Sequence, residues 1–168
     1  MPELLGEFEC KIDAKGRMRM PTALLKQLGG TQKHTFVINR GVEPCLTLYP
    51  KKVWDVLSAK VKKLNPYVAK NRKFIRYFYR GATELNPDAS DRILISKGVL
   101  EHAGIEKEAM LLAMNDRMEV WSKSRYEKLM EDETDNPSDL GEEVMGAVDM
   151  NDLFPVEEPE NDNDPSNE

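Results

Sequence analysis

The sequence predicts an α+β fold, mostly β, built from two tandem copies of one strand-rich unit. Two observations carry this prediction. The segment Leu5 to Leu57 returns as Arg80 to Leu129, at an offset of 75 residues in its early part and 72 in its late part. Near the start of the chain Phe8, Cys10 and Ile12 alternate with charged side chains, and such alternation is typical of strands.

The repeat is visible in matching residues along the two copies. The early pairs are Gly6 with Gly81, Asp13 with Asp88, Arg17 with Arg92, and Gly29 with Gly104. The later pairs are Leu46 with Met118, Leu48 with Val120, Tyr49 with Trp121, and Trp54 with Tyr126. The change of offset falls where "RGVEP" in one copy faces "NDR" in the other. Such a deletion is tolerated in a turn, so we expect a turn there.

Each copy is predicted to run strand, turn, strand, short helix, strand, turn, strand, helix. In the first copy "PTALLKQLGG" indicates a short helix with Pro21 near its start and two glycines at its end. The segments "HTFVIN" and "CLTLY" indicate two more strands around a glycine-containing turn. Pro50 then opens a helix whose apolar side comprises Trp54, Leu57, Val61 and Leu64.

A helical segment, residues 58–79, is predicted to connect the copies. Part of it, "NPYVAKNRKFIRYFYRG", places an apolar stripe on one side, made of Val68, Phe74, Ile75, Phe78 and Tyr79. Basic side chains surround the stripe, which leaves two interpretations open. Aromatics among basic residues can stack on the bases of single-stranded nucleic acid. At helical spacing the stripe is more typical of core packing with basic side chains around it, and this is the interpretation we favour.

Charge is divided unevenly along the chain. Residues 131–168 contain 15 acidic and no basic side chains, whereas residues 1–130 contain 24 basic and 15 acidic ones, a net charge of +9. The acidic tail, 131–168, is predicted to be disordered because it has too few apolar residues to offset chain entropy. It either solubilises the protein or competes with an anionic ligand for basic turns. The basic body favours an anionic partner, most often nucleic acid.

The sequence gives little support for an enzyme, a metal site or a cofactor. Cys10 and Cys45 form no CxxC pair, and His34 and His102 have no catalytic or metal-binding motif around them. No catalytic residue, metal ligand, cofactor or small-molecule substrate is therefore predicted. No apolar run is long enough to span a membrane, and no secretory signal is visible.

A short motif occurs once in each copy, as "DAKGR" and "DASDR". Asp13 is expected to accept backbone N–H groups in an Asx-type turn, with Gly16 at a positive φ. Asp91 replaces that glycine in the second copy, and Asp is among the few other residues that tolerate such a φ. Each turn is predicted to hold the arginine that follows it in one orientation.

The arginine of each motif has the geometry to bind phosphate or the edge of guanine. Lys11, Lys15, Arg17 and Arg19 cluster about the first turn, whereas Ser90 and Leu94 stand at two of the corresponding positions in the second copy. The first turn is therefore expected to contribute more to an anionic ligand. The alternative is that each Asp–Arg pair only fastens its turn.

The two motifs, in "GEFECKIDAKGRMRMP" and "RGATELNPDASDRILIS", resemble those of the MraZ family of bacterial transcriptional regulators. Each copy is similar to a SpoVT/AbrB-type swapped-hairpin domain, and the resemblance covers about Leu5 to Met130. It implies a first repeat at residues 5–57, a connecting segment at 58–79 and a second repeat at 80–130. It also implies a pseudo-two-fold, β-barrel-like body with flanking helices.

The resemblance further implies binding to double-stranded DNA at short repeated promoter elements, by a closed ring of identical chains. The family regulates the division and cell-wall gene cluster, including its own gene, which leads us to expect a repressor located in the cytoplasm at the nucleoid. The proposed DNA contacts of the family correspond to Asp13, Arg17, Asp88 and Arg92. Lys11, Lys15 and Arg19 are added from their position about the first turn. The second motif departs from the family in lacking the glycine before its arginine.

A protein-interaction module is the alternative function. The same swapped-hairpin architecture could serve as the dimerising half of an antitoxin-like regulator, with the tail binding a partner protein and without specific DNA binding. A duplicated domain with both motifs intact disfavours this alternative.

Overall fold

The computed structural model describes residues 3–29, 33–132 and 137–146. The chain divides into two units, Met1–Met130 and Glu131–Glu168. The elements that begin in the first unit are, in chain order, β1 (Leu4–Lys11), β2 (Arg17–Arg19), α1 (Thr22–Gln27), β3 (Phe36–Arg40), β4 (Leu46–Pro50), α2 (Lys51–Lys62), α3 (Ala69–Tyr79), β5 (Thr83–Leu85), β6 (Arg92–Leu94), α4 (Lys97–Ala103), β7 (Glu108–Asn115), β8 (Arg117–Ser122) and α5 (Lys123–Glu131). The predicted order of strands and helices in each copy is confirmed.

The two copies exchange strands. A six-stranded antiparallel sheet has the order β1-β7-β8-β4-β3-β5, and β2 and β6 form a separate two-stranded sheet. The order reads the same when each strand is replaced by its counterpart in the other copy. The first strand of each copy therefore pairs with the third strand of the other, and the two second strands pair together. This pairing gives the body its pseudo-two-fold arrangement.

The barrel-like closure predicted from the sequence is not found. Among the described residues β1 and β5 lie at the two edges of the six-stranded sheet, so the sheet is open. Two local features explain the open edges. β2 touches β1 at the single bridge between Ile12 and Met18 before it leaves the sheet. β5 ends at Leu85, two residues before Pro87, which has no N–H to extend the ladder.

The main core lies between the six-stranded sheet and the β2–β6 pair. Met18 and Ile93 within the two strands, and Met20 and Ile95 directly after them, are buried in the main apolar cluster. The same cluster contains the sheet residues Phe36 and Leu48. The arginines that alternate with the methionines face away from this cluster, as predicted from strand periodicity. The small sheet is thus anchored by its inner face and presents its outer face.

Helices α2 and α3 cover the opposite face of the large sheet. Trp54 stacks on Phe78 with ring centroids 4.7 Å apart, and Tyr79 OH lies 2.7 Å from the hydroxyl of Ser58. The predicted apolar side of α2 is confirmed, because Trp54 and Val61 are buried. The predicted core stripe of α3 is only half right: Phe78 and Tyr79 pack on this cluster, whereas Val68 and Phe74 are exposed. Within the part of the chain that the structure describes, no residue of α3 is fully buried.

The second unit contains helix α6 (Pro137–Met145). Here the structure differs from the predicted disorder of the acidic tail. Pro137 stands at the first helical position, where its missing N–H costs nothing, and Leu140 and Val144 lie one turn apart. For 133–136 and 147–168 the prediction of disorder lies outside the described residues. No helix in the described part of the chain is long and apolar enough to cross a membrane.

The two faces of β6 should differ sharply in their response to truncation. Ile93→Ala is expected to lower the free energy of unfolding by about 2–5 kcal/mol, because Ile93 is fully buried in the core. Leu94→Ala, one residue on, should change it by less than about 0.5 kcal/mol, since Leu94 is exposed. Urea denaturation of both variants measures the difference. Equal losses would contradict the assigned orientation of the strand.

Candidate nucleic-acid interface

The first turn is closed by one carboxylate. Oδ1 of Asp13 accepts the backbone N–H groups of Lys15, at 3.0 Å, and Arg17, at 2.9 Å. Oδ2 accepts Nε–H of the Arg17 side chain at 2.8 Å. The turn also contains backbone bonds from Gly16 N to Asp13 O and from Asp13 N to Arg17 O, both 3.0 Å long. The Asx-type turn and the oriented arginine predicted from the sequence are therefore confirmed in the first copy.

The second turn has the same hydrogen bonds. Oδ1 of Asp88 accepts the N–H groups of Ser90, at 2.8 Å, and Arg92, at 3.0 Å, and Oδ2 accepts Nε–H of Arg92 at 2.9 Å. Asp91 takes the place of Gly16 with a φ of 59°, against 87° for the glycine. The missing glycine therefore leaves the turn geometry intact.

The carboxylates of both turns are ionised at neutral pH. The backbone N–H of Arg17 is the main cause that lowers the pKa of Asp13 below its ordinary value of 3.8, and Arg92 acts in the same way on Asp88. A lowered pKa means that the stabilising contribution is complete above the ordinary pKa. It is lost only as the pH falls through the lower pKa of the folded state. The tether of each arginine is thus insensitive to pH across the physiological range.

The bond from each arginine to its aspartate uses the Nε–H edge of the guanidinium. Asp13 and Asp88 each take the Nε–H of their arginine, and Nε is the nitrogen on the side-chain stem. The two terminal NH2 groups share a different edge of the planar guanidinium, which the Nε–H bond does not use. These groups form the fork that makes parallel hydrogen bonds to phosphate or to O6 and N7 of guanine.

Pairing of β2 with β6 brings the two turns onto one surface, which we call the arginine ribbon (Asp13–Met20 and Asp88–Ile95). Arg17 lies opposite Leu94, Met18 opposite Ile93, and Arg19 opposite Arg92. Each turn is bonded to the far end of the other strand, through Ile95 N to Gly16 O at 2.9 Å and Met20 N to Asp91 O at 2.8 Å. The two motifs are therefore the two ends of one ribbon, a relationship that the sequence analysis missed.

The outer face of the arginine ribbon carries three guanidinium groups. Arg17 and Arg92 are half-buried against their aspartates, and Arg19 is exposed with its Nε donating to Ser90 O at 3.2 Å. Arg19 and Arg92 stand directly opposite each other. Like charges in this position repel, so the outer face favours an anionic ligand that lies across both strands.

The predicted lysines lie beside the ribbon. Lys11 and Lys15 line an open groove of about 850 Å³ along one side of the first turn, together with Lys97 and Lys107. Arg17 and Arg19 do not line this groove, so the predicted basic cluster splits into a lysine side and an arginine face. The sequence analysis missed Lys97 and Lys107 because they come from the second copy and reach the first turn only through the exchanged strands.

Burial affects the two cysteines and His102. Burial raises the pKa of Cys10 to about 11 and also raises that of Cys45, and both thiols are free and buried. The pKa of His102 is lowered, chiefly by burial and then by Arg80. In 3–29, 33–132 and 137–146 there is no group of three or more His, Cys, Asp or Glu side chains placed to hold a metal ion.

The chain is similar to known proteins over most of its length. A family model described as "MraZ protein, putative antitoxin-like" matches residues 4–76 and again residues 78–146. The double match supports the tandem repeat. It also extends the similarity beyond Met130 to residue 146, so the matched part includes α6.

Three relatives named "Transcriptional regulator MraZ" illustrate the similarity. The protein of Christiangramia forsetii is 44% identical over 151 residues, which cover 89% of this chain and 97% of the relative. That of Flavobacterium psychrophilum is 42% identical, with 88% and 95% covered. That of Ligilactobacillus salivarius is 36% identical, with 84% and 96% covered.

The geometry of the first turn is expected to require glycine at position 16. A Cβ at this position would lie 2.7 Å from the carbonyl oxygen of Ile95, and the φ of 87° is unfavourable for alanine. Gly16→Ala is therefore expected to lower the free energy of unfolding by at least about 1–2 kcal/mol. Gly98→Ala is the matched control. Gly98 is helical with open space around its Cβ position, so alanine there should stabilise by about 0.5–1 kcal/mol. A Gly16→Ala variant as stable as wild type would contradict the turn geometry.

Proposed function

The chain belongs to the MraZ family, and from this premise we propose that it regulates transcription by binding double-stranded DNA through the arginine ribbon. The observation that carries the proposal is the pair of carboxylate-tethered arginines, Arg17 and Arg92, at the two ends of one two-stranded ribbon. A tether that only fastened its turn would need no second guanidinium on the same face. Two oriented guanidiniums and a third beside them form a surface with the chemistry of a DNA-reading element.

The size of the arginine ribbon suits the major groove. That groove of B-DNA admits a two-stranded antiparallel ribbon, and several DNA-binding proteins use one in this way. Arg17 and Arg92 would then contact guanine edges with their terminal NH2 groups. Asp13 and Asp88 act as positioning residues, because they hold Nε and so fix the direction of the fork. Pre-organisation of this kind reduces the side-chain entropy lost on binding.

The lysine side of the first turn supplies a second kind of contact. Lys11, Lys15, Lys97 and Lys107 border the groove next to the turn. Lysines of this kind contact phosphates, which fix the register of a protein on the duplex but carry no sequence information. Glu106 and Glu108 line the same groove, so we assign it to the edge of the interface. This asymmetry supports the expectation that the first turn contributes more affinity than the second.

The assembled form and the targets follow from the family resemblance. We propose tandem swapped-hairpin repeats that assemble head-to-tail into a closed ring. Several ribbons on one ring would bind short repeated promoter elements, and effective concentration would raise the affinity well above that of one ribbon. The proposed targets lie ahead of the division and cell-wall gene cluster, which includes the gene of this protein. The proposed outcome is repression, in the cytoplasm at the nucleoid.

A protein-interaction function is the second candidate. The description of the matched family includes the words "antitoxin-like". Phe74 and Tyr77 are exposed on α3, among the basic side chains Lys70, Lys73 and Arg76. α3 packs on the face of the large sheet opposite the arginine ribbon. A partner protein that bound here would be retained by variants of the arginine ribbon, which separates the two candidates.

Truncation of the tethered arginines tests the proposed function. Arg17→Ala should weaken binding to the upstream region of the gene by about 5- to 150-fold, the equivalent of the 1–3 kcal/mol of one bidentate base contact. Arg92→Ala should weaken it less. Fluorescence anisotropy across a salt series measures both losses. Arg76→Ala is the control, because it removes the same charge from α3. Equal binding by Arg17→Ala and Arg76→Ala would contradict the proposal.

The number of DNA elements tests the proposed ring. A duplex with several elements at their natural spacing should bind about 10²–10⁴ times more tightly than a duplex with one. Sedimentation equilibrium should show a single closed oligomer at the same protein concentration. A monomer, or equal affinity for one and several elements, would contradict the ring while leaving single-site recognition intact.

A further inference from the structure

Leu94 is out of place among the residues of the arginine ribbon. It is 58% exposed, whereas its neighbours Ile93 and Ile95 are fully buried. It lies at one end of the β2–β6 pair, on an outer face whose other members are arginines. The counterpart of Leu94 in the first copy is Arg19, which is likewise the last residue of its strand. No packing role within the described body accounts for a large apolar side chain at this point.

The nearest outward-facing neighbour of Leu94 is Arg17, directly opposite in the strand pair. Directly opposed residues of an antiparallel pair have Cβ atoms about 4.5–5.5 Å apart and project from the same face. Successive base pairs rise about 3.4 Å along B-DNA. A ribbon that places Arg17 against one base pair therefore places Leu94 against the adjoining one.

The major groove offers one apolar group of the right kind. Base edges in this groove present hydrogen-bond donors and acceptors, and the 5-methyl group of thymine is the apolar group that projects from them. Leucine gains nothing from a phosphate, a carbonyl or an amino group, because it would remove their water without replacing their hydrogen bonds. Against a methyl group it buries apolar surface on both sides.

We infer that Leu94 contacts the 5-methyl group of a thymine in the base pair next to the one contacted by Arg17, and so determines sequence specificity. This inference rests on the proposed DNA binding through the ribbon. The same contact also fixes the direction in which the ribbon lies on a DNA element. One end of the ribbon pairs an arginine with a leucine, and the other end pairs Arg92 with Arg19. A pseudo-two-fold body therefore reads an element that is not palindromic, in one direction only.

Removal of single methyl groups from the DNA tests the inference. The probe is the duplex that the wild-type protein selects from a randomised pool, and each thymine is replaced in turn by uracil. Uracil keeps the base pairing and all hydrogen-bonding edges, so only the methyl group is lost. At one position the wild-type protein should lose about three- to fivefold in affinity, the value of one buried methyl-sized group. Leu94→Ala should bind the thymine duplex with a comparable loss and should show no further loss with uracil at that position.

The control variant is Leu5→Ala. Leu5 is 65% exposed on β1, outside the ribbon. It should bind the thymine duplex as tightly as wild type and lose the same three- to fivefold with uracil. A comparison of Leu94→Ala with Leu5→Ala thus separates contact at the ribbon from a general effect of removing an exposed leucine.

Four other outcomes would contradict the inference, and each of them leads to a different conclusion. Failure of the wild-type protein to select any sequence would remove the proposed function and the inference together. Selection of a sequence with no uracil-sensitive position would remove the inference alone. A uracil-sensitive position at which Leu94→Ala loses as much as wild type would assign the methyl contact to another residue. A change of oligomer mass in Leu94→Ala, measured by sedimentation, would assign Leu94 to a contact between copies of the chain.

Discussion

The pairing of β2 with β6 is the constraint on which the rest of the structure depends. It joins the second strand of one copy to the second strand of the other. Met18 and Ile93, paired at its centre, are both fully buried, so the ribbon is held by the core beneath it. Because of this pairing, each Asp–Arg turn lies beside the C-terminal end of the partner strand. Without it, the two turns would not be joined in one ribbon.

Duplication followed by strand exchange explains why one short motif is used twice. A single turn of five residues can orient one guanidinium, and it needs only the carboxylate at its start and a residue that tolerates a positive φ. Two such turns on one ribbon present three guanidiniums across two strands. The spacing between them is then set by strand geometry, which is far stiffer than a loop. Rigid placement of this kind is what recognition of base edges requires.

Features that depend on contacts within a few residues could be predicted from the sequence, whereas contacts between residues far apart in the chain could not. The turn at Asp13, the positive φ at Gly16 and its replacement by Asp91 follow from contacts within five residues, and all are confirmed. The exchange of strands joins residues about 70 positions apart, such as Arg19 and Ser90, and no periodicity reveals which strand pairs with which. The barrel-like closure was wrong for the same reason, because closure depends on which strands occupy the edges.

Repulsion between positive charges on the outer face of the arginine ribbon lowers the stability of the protein when no ligand is bound. Arg19 and Arg92 face each other across the strand pair, where like charges are unfavourable. Asp88 compensates the charge of Arg92, whereas the hydrogen bond that Arg19 makes within the described residues goes to the uncharged carbonyl oxygen of Ser90. A ribbon selected for stability alone would place an acidic residue opposite Arg92. A polyanion that spans both strands would remove the repulsion, so binding energy and folding energy are opposed at this position. Such local conflict is typical of functional sites, and it favours the outer face over the lysine groove as the centre of recognition.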